Sequence, residues 1–246
     1  MSYAIQWVRS LIFNLSMYLA MAVIGIVFAP FVIFSAKAAM RGCHLYCVYV
    51  IWTARWMIGL KIEYRGTPPT KECMIAAKHQ SFLDVLAVFG AVPRGKFIMK
   101  RILMYAPVLG QFGLRIGCIP VDRGKRGAAI VKMLADVKNG TAHPGQLIIY
   151  PQGTRVAPGK VMKYKKGTGA LYQQMDQPCV PVALNIGVFW PKRGVYRKPG
   201  TAVVEFLEEI PPGLPPAEFM ALLEERIETA SDKLNAEAGF VANEQS

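Results

Sequence analysis

Hydrophobic positions change their rhythm once along this chain, close to residue 60. Before that point they run almost unbroken. The stretch SLIFNLSMYLAMAVIGIVFAPFVIFSA, residues 10–36, carries no charge between Arg9 and Lys37. It exceeds the roughly 20 apolar residues that a bilayer-spanning helix needs. Pro30 lies near its end, where a ring without an N–H is expected to kink or shorten the helix. Ala36-Lys37-Ala38 imitates a signal-peptide cleavage site, but the apolar run outlasts a usual signal core of roughly 7–15 residues, which favours a retained anchor. A second apolar segment over 43–60 is rich in Tyr46, Tyr49, Trp52 and Trp56 and contains Arg55. Such residues suit an interface, so a half-buried or re-entrant helix fits as well as a full span. Lys37 and Arg41 in the connector argue against placing it outside the cell. Residues 1–60 thus predict a membrane-attached helical hairpin of undecided depth.

From residue 61 to 246 the pattern becomes that of an α/β domain. KIEYRG alternates like a strand, and ECMIAAKH reads as a buried strand ending at His79. A helix should begin near Ser81 and run through FLDVLAVFGAV. Further strands are expected at 96–99, 116–121, 147–150, 179–186 and 201–207, and helices near 102–113, 125–138 and 166–175. Beyond the connector PPGLPP, residues 216–236 form an amphipathic helix with Phe219, Leu222, Leu223, Ile227 and Leu234 on one face, which reads as an ordinary packing helix. There is no internal repeat, and the last residues look frayed.

Composition sharpens the membrane reading. The 246 residues are 53% hydrophobic and carry a formal charge of +13, a pairing natural to a protein on an anionic membrane. Residues 1–60 contain no Asp or Glu and four basic residues, leaving 25 basic and 16 acidic residues to the rest. Nucleic acid is the rival explanation of the charge, but no zinc-ligand spacing, aromatic RNA-binding pattern or basic zipper is present. Five cysteines, at 43, 47, 73, 118 and 179, sit in apolar surroundings and read as buried thiols in a reducing compartment. Cys43-His44-x-x-Cys47 lacks a second ligand pair, so no metal is expected there.

The richest chemistry lies in AAKHQSFLDVLAV. On a continuous helix His79 and Asp84 would point about 140° apart. If His79 ends a strand and Ser81 caps the next helix, Ser81-x-x-Asp84 resembles a capping box and the chain folds His79 back toward Asp84. A carboxylate on one imidazole nitrogen leaves the other to act as a general base. The spacing alone equally allows a capping Asp beside a bystander His.

Four segments together carry a resemblance. Lys78 with His79-x4-Asp84, Gly117-Cys-Ile119-Pro-Val-Asp122-Arg123, Tyr150-Pro151-Gln152-Gly153-Thr154-Arg155, and Val180-Pro181-Val182-Ala183 stand in the order and approximate spacing of the four motifs of glycerolipid acyltransferases. The chain most resembles the bacterial 1-acylglycerol-3-phosphate acyltransferases, over about residues 60–210. That resemblance implies an α/β fold with a mixed central sheet flanked by helices. It implies transfer of a fatty acyl group from acyl-CoA or acyl-carrier protein to a lysophospholipid hydroxyl, at the cytoplasmic face of a bacterial inner membrane and without a cofactor. His79 would deprotonate the hydroxyl and Asp84 would orient the imidazole. No acyl-enzyme is called for, and Ser81 is the only serine between 36 and 230. Backbone N–H groups near His79 or Gly153 are candidates for holding the oxyanion.

For the acceptor's phosphate, the resemblance points to Arg155, whose planar fork suits bidentate contact. Lys100 matches a family lysine, and Arg123 is a third candidate, with neighbouring Asp122 as an alternative, structural partner. Gly153 would let the backbone approach the ligand, with Thr154 beside it. Gln152 would hydrogen-bond a phosphate oxygen or steady Arg155. Two basic clusters, Lys160–Lys166 and Lys192–Lys198, read as a surface for anionic lipid, CoA phosphates or an acidic carrier protein. An apolar acyl groove is expected between 85–92 and 102–112. Lys78 and Gln152 depart from the family's usual asparagine and glutamate, and both changes make the site more positive. They leave open a lyso-ornithine lipid or another lysolipid as acceptor. A lipid-binding protein that has lost catalysis is the remaining alternative, and the presence of both His79 and Asp84 counts against it.

Overall fold

The apolar run Cys73–Ala77 forms strand β2, buried at every position, as befits a strand covered on both faces. It pairs in parallel with β5 (Gln146–Ile149) on one side and β6 (Cys179–Leu184) on the other, both equally buried. Strand β3 (Gly95–Lys100) adds in parallel to β5, and β4 (Ile119–Val121) in parallel to β3. Beyond β6 the direction reverses. Strand β7 (Gly200–Phe206) is antiparallel to β6, and β1 (Leu60–Arg65) lies parallel to β7 at the edge. The order β1-β7-β6-β2-β5-β3-β4 is the mixed sheet expected. The structure is a computed structural model that describes residues 2–106, 108–121, 131, 135 and 144–240, with the side chains of 100, 109 and 121 left out.

Alternation along β2 divides the core. Ile75 and Ala77 face a cluster built with helices α1 (Tyr3–Val32), α2 (Ala36–Thr53) and α3 (Leu83–Gly90). Met74 and Ala76 face the other side, where α5 (Gly167–Met175) and α7 (Pro216–Glu237) bury Leu171, Tyr172, Phe219, Leu223 and Ile227. The predicted face of α7 is therefore the packed one, although Leu222 is only partly buried. Between these segments lie α4 (Leu109–Arg115) and the single turn α6 (Ile186–Phe189). The helix expected over 102–113 is broken into a 3-10 turn, Arg101–Tyr105, and α4. The break includes Val108, which takes a left-handed φ of 63°. Of the helix expected over 125–138, only Val131 and Ala135 are described, and both are helical.

The two N-terminal segments do form a helical hairpin, but its geometry departs from a simple anchor. Helix α1 starts at Tyr3, capped by the Ser2 hydroxyl, and so takes in the polar residues before the uncharged run. Gln6, Ser10 and Asn14 recur every fourth residue and make a polar stripe along it. Gln6 Nε2 donates to the carbonyls of Ile58 (2.9 Å) and Arg197 (2.8 Å), and Ser10 Oγ accepts from Arg197 N–H (3.0 Å). Phe13 and Met17 sink into the same core cluster as β2. The opposite face, with Leu15, Leu19, Val23 and Ile26, is exposed. Helix α1 is long and apolar enough to cross a membrane, and only 17% of its most apolar window is buried in the protein. Helix α2 starts at Ala36, earlier than the segment expected from 43, because Ser35 caps it. It ends in a π turn at Ala54–Ile58, closed by Gly59 at φ 71°.

Asn185 joins the two layers behind the sheet. It is 1% exposed, donates to Leu234 O (2.7 Å) and accepts from Val203 N–H (2.7 Å). Asn185→Ala leaves Val203 N–H without its partner, at about 1–3 kcal/mol, while Leu234 O keeps its bond from Ala238 N–H (3.2 Å). Urea unfolding should show that loss as a lower midpoint with an unchanged slope.

Candidate active site

Strand β2 ends at Ala77, and the chain turns through Lys78, His79, Gln80 and Ser81 before α3 begins. Asp84 lies in the first turn of α3 and reaches back into this loop. One of its oxygens, Oδ2, accepts from Gln80 N–H (2.6 Å) and Ser81 N–H (2.7 Å) and stands 3.1 Å from His79 Nδ1. The Asp84-to-backbone half of the capping box is thus present. The Ser81 half differs, since its hydroxyl accepts from Leu83 N–H (3.3 Å) instead of from the Asp84 amide. The His79 ring also stacks on Tyr150, with centroids 4.1 Å apart. With Nδ1–H donated to Asp84, Nε2 is left as the basic nitrogen.

Asp84 is fully buried, and burial pushes its carboxyl above the usual range; the bonds from His79, Ser81 and Gln80 pull it down without cancelling that rise. The His79 side chain keeps 15% of its surface, an imidazole reachable from one side and backed by a buried carboxylate. This arrangement can take a proton from a hydroxyl brought against Nε2.

Three latches hold the loop. Val156 N–H donates to His79 O (2.7 Å), tying the segment after β5 to the segment after β2. Gly187 N–H donates to Gln80 Oε1 (3.0 Å), and a Cβ at Gly187 would fall 2.6 Å from Gln80 Cβ, so only glycine fits. Lys78, 4% exposed, pairs with Glu228 of α7, whose other oxygen accepts from Tyr164 Oη (2.8 Å).

Arg155 immediately precedes the latched Val156 and is half-buried, with Nη1 donating to Lys192 O (3.3 Å). Thr154 is exposed beside it. Gly153 adopts φ 71°, and its N–H closes a turn onto Tyr150 O (2.8 Å). The left-handed backbone already explains that glycine, and its N–H is spent within the turn. The amides of Gln80 and Ser81 are likewise spent on Asp84, so these three oxyanion candidates are engaged. Gln152 is 1% exposed and does not steady Arg155: neither of its amide atoms has a partner among the described residues. The side chain of Lys100, at the end of β3, and all of Arg123 lie outside the described residues. Leu86, Ala87, Val88, Phe89 and Val92, on one side of the expected groove, are buried in the core cluster, while Ile102 and Tyr105 on the other are exposed.

The basic clusters are exposed at Lys160, Lys163, Lys165, Lys166, Lys192, Arg193 and Lys198. Arg197 is the exception. It is 7% exposed, lies 4.4 Å over the Trp190 ring, and burial lowers it to about 10. Sequence reasoning missed this, along with the Tyr150 stack and the Glu228 partner, which lies 150 residues from Lys78 and leaves no local signal.

The family model described as Acyltransferase matches residues 61–185, half of the chain, including the loops that carry His79 and Arg155. The chain belongs to the acyltransferase family. Within it, the chain is 29% identical over 205 residues to a 1-acyl-sn-glycerol-3-phosphate acyltransferase of Pseudomonas aeruginosa, covering 81% of this chain and 79% of that one. It is 32% identical over 158 residues to a protein of the same name from Limnanthes alba, covering 63% and 56%. The crystal structure of the 1-acyl-sn-glycerophosphate (LPA) acyltransferase PlsC from Thermotoga maritima shares the fold, with a TM-score of 0.78 over 94% of this chain and 98% of that one at 22% identity.

Because burial raises the Asp84 carboxyl, its ionised form costs folding free energy. That contribution favours the fold below the unfolded-state range and is lost as pH rises through the folded value. Asp84→Asn should therefore keep or raise the melting temperature at neutral pH, and the gap over wild type should shrink on acidification. A lower melting temperature at neutral pH would show that the hydrogen bonds, not burial, dominate.

Proposed function

We propose that this acyltransferase esterifies the free hydroxyl of lysophosphatidate to give phosphatidate. The observation that carries the reading is the His79–Asp84 contact, at a strand end within the matched family region, in a chain whose relatives bear that activity's name. His79 Nε2 takes the hydroxyl proton while Asp84 holds Nδ1–H. The alkoxide oxygen bonds to the thioester carbonyl carbon of acyl-CoA or acyl-carrier protein. The C–S bond then breaks, and the imidazolium returns its proton to the departing thiolate. The protein forms no ester of its own, since Ser81 is fully buried and its hydroxyl is turned to Leu83. The acceptor's phosphate is assigned to Arg155, with Lys100, the last residue of β3, and Arg123 as the further cations that the family resemblance suggests.

Purified protein offered lysophosphatidate, lyso-ornithine lipid and other lysophospholipids, with labelled acyl-CoA, tests this directly. Lysophosphatidate should be preferred, His79→Ala should lower kcat by about 10²–10⁴-fold, and Arg155→Ala should raise KM for phosphate-bearing acceptors. Preference for lyso-ornithine lipid, with Arg155→Ala silent, would move the acceptor to the zwitterionic class. Binding of lysolipid without turnover would leave a lipid-binding protein.

The exposed apolar face of α1 is proposed to lie in the bilayer, with the catalytic domain on the cytoplasmic side of a bacterial inner membrane. Five free cysteines fit that reducing compartment. Removing residues 1–60 would open the shared core, so surface changes make the cleaner test. Leu15→Gln, Leu19→Gln and Ile26→Gln together each remove about 1.5–3 kcal/mol of apolar burial in lipid. The variant should fail to float with anionic vesicles while its melting temperature is kept; unchanged flotation would place attachment on the basic surface.

A further inference from the structure

The residues on either side of His79 turn away from it. Lys78 and Gln80 line a cavity of about 200 Å³ together with Lys160, Glu228, Asp232 and Asn235, while His79 lies against Asp84 and Tyr150. Gln80 is fully buried, and its Nε2 has no hydrogen-bond partner among the described residues. Behind the reactive imidazole there is thus a polar chamber, walled by the middle of α7, and an ion pair crosses it.

We propose that the Lys78–Glu228 pair is a positioning device for acyl transfer, fixing the height and tilt of the His79 loop against α7. The proposal rests on the reading of His79 as the base. A lysine only 4% exposed needs a partner, because an ammonium taken out of water costs more than it gains unless paired with good geometry. Stability alone does not call for such a pair, since well-packed apolar residues of similar volume usually do as well. What the charges add is direction. Nζ must sit where the Glu228 carboxylate is, and that carboxylate is itself fixed by Tyr164 Oη.

Tyr164 extends the device to the other half of the site. It is 7% exposed, and the next residue, Lys165, donates its N–H to Pro151 O (2.8 Å) in the segment leading to Arg155. One carboxylate therefore ties together the loop carrying His79, the loop carrying Arg155, and α7. The chamber explains why losing the pair would be felt. An ammonium without its counter-charge has room to swing toward Asp232 or solvent, and the tie between the backbone beside His79 and α7 is then lost.

The test uses the full-length protein, with kcat, KM for both substrates and the melting temperature measured on each variant. Lys78→Met and Glu228→Gln should each lower kcat by about 10-fold to 100-fold, with both KM values within about twofold of wild type, since misplacing a reacting group by an ångström suffices for such losses. The double variant Lys78→Met/Glu228→Gln should be no slower than the slower single. Lys78→Arg should recover most of the rate. Wild-type kcat in Glu228→Gln, losses that multiply in the double variant, or a loss confined to KM would each overturn the proposal. The double variant leaves no charge unpaired and should fold if Glu228→Gln does not; wild-type kcat there is equally fatal. His79→Ala run alongside separates the two claims. If it still turns over, the base assignment falls and the positioning claim with it; if it is dead while Glu228→Gln runs at full speed, only the positioning claim falls.

Discussion

One carboxylate oxygen organises the site. Asp84 Oδ2 gathers the amides of Gln80 and Ser81 and faces His79 Nδ1, so the loop between β2 and α3 is wound around a single point. The winding sets the imidazole, the first turn of α3 and the path of the backbone together. Burial makes that oxygen costly to ionise, and the same burial strengthens each bond it accepts. The latches from Val156 and Gly187 act on a loop whose shape is already decided there.

The N-terminal helices belong to this construction. Phe13, Met17, Cys47 and Val50 share a core cluster with Ile75, Leu83 and Ala87, so the helices that look like an anchor also form the floor under α3. A contact chain leads from them to the loop. Arg197, held by Gln6 and Ser10, lies over Trp190; Trp190 meets Phe13 edge-on and approaches Phe82 at the mouth of α3. The buried guanidinium is a structural cation, although its neighbours Lys192, Arg193 and Lys198 are exposed.

Much of this was legible in the sequence because it is local. The apolar run Cys73–Ala77 and the face of α7 follow from residues within one strand or a few turns, whereas the His79–Asp84 spacing left two readings open and the family resemblance chose between them. What escaped was non-local or backbone-driven. No sequence pattern joins Lys78 to Glu228, and the stripe of Gln6, Ser10 and Asn14 was missed because Gln6 lies before Arg9, outside the run read as helix. Gln152 shows a different limit: an amide beside an arginine in sequence need not face it when the intervening glycine takes a left-handed turn.

The reversal of β7 and β1 has a geometric result. Because these strands run against the rest, their first residues, Gly200 and Leu60, lie at the edge of the sheet where β2, β5 and β6 finish. The chain therefore passes from its helical hairpin into the sheet on the same rim that carries His79 and Arg155. An all-parallel sheet would have put that junction at the far rim, a strand's length away. Here the apolar N-terminal helices and the His79 imidazole share one shore.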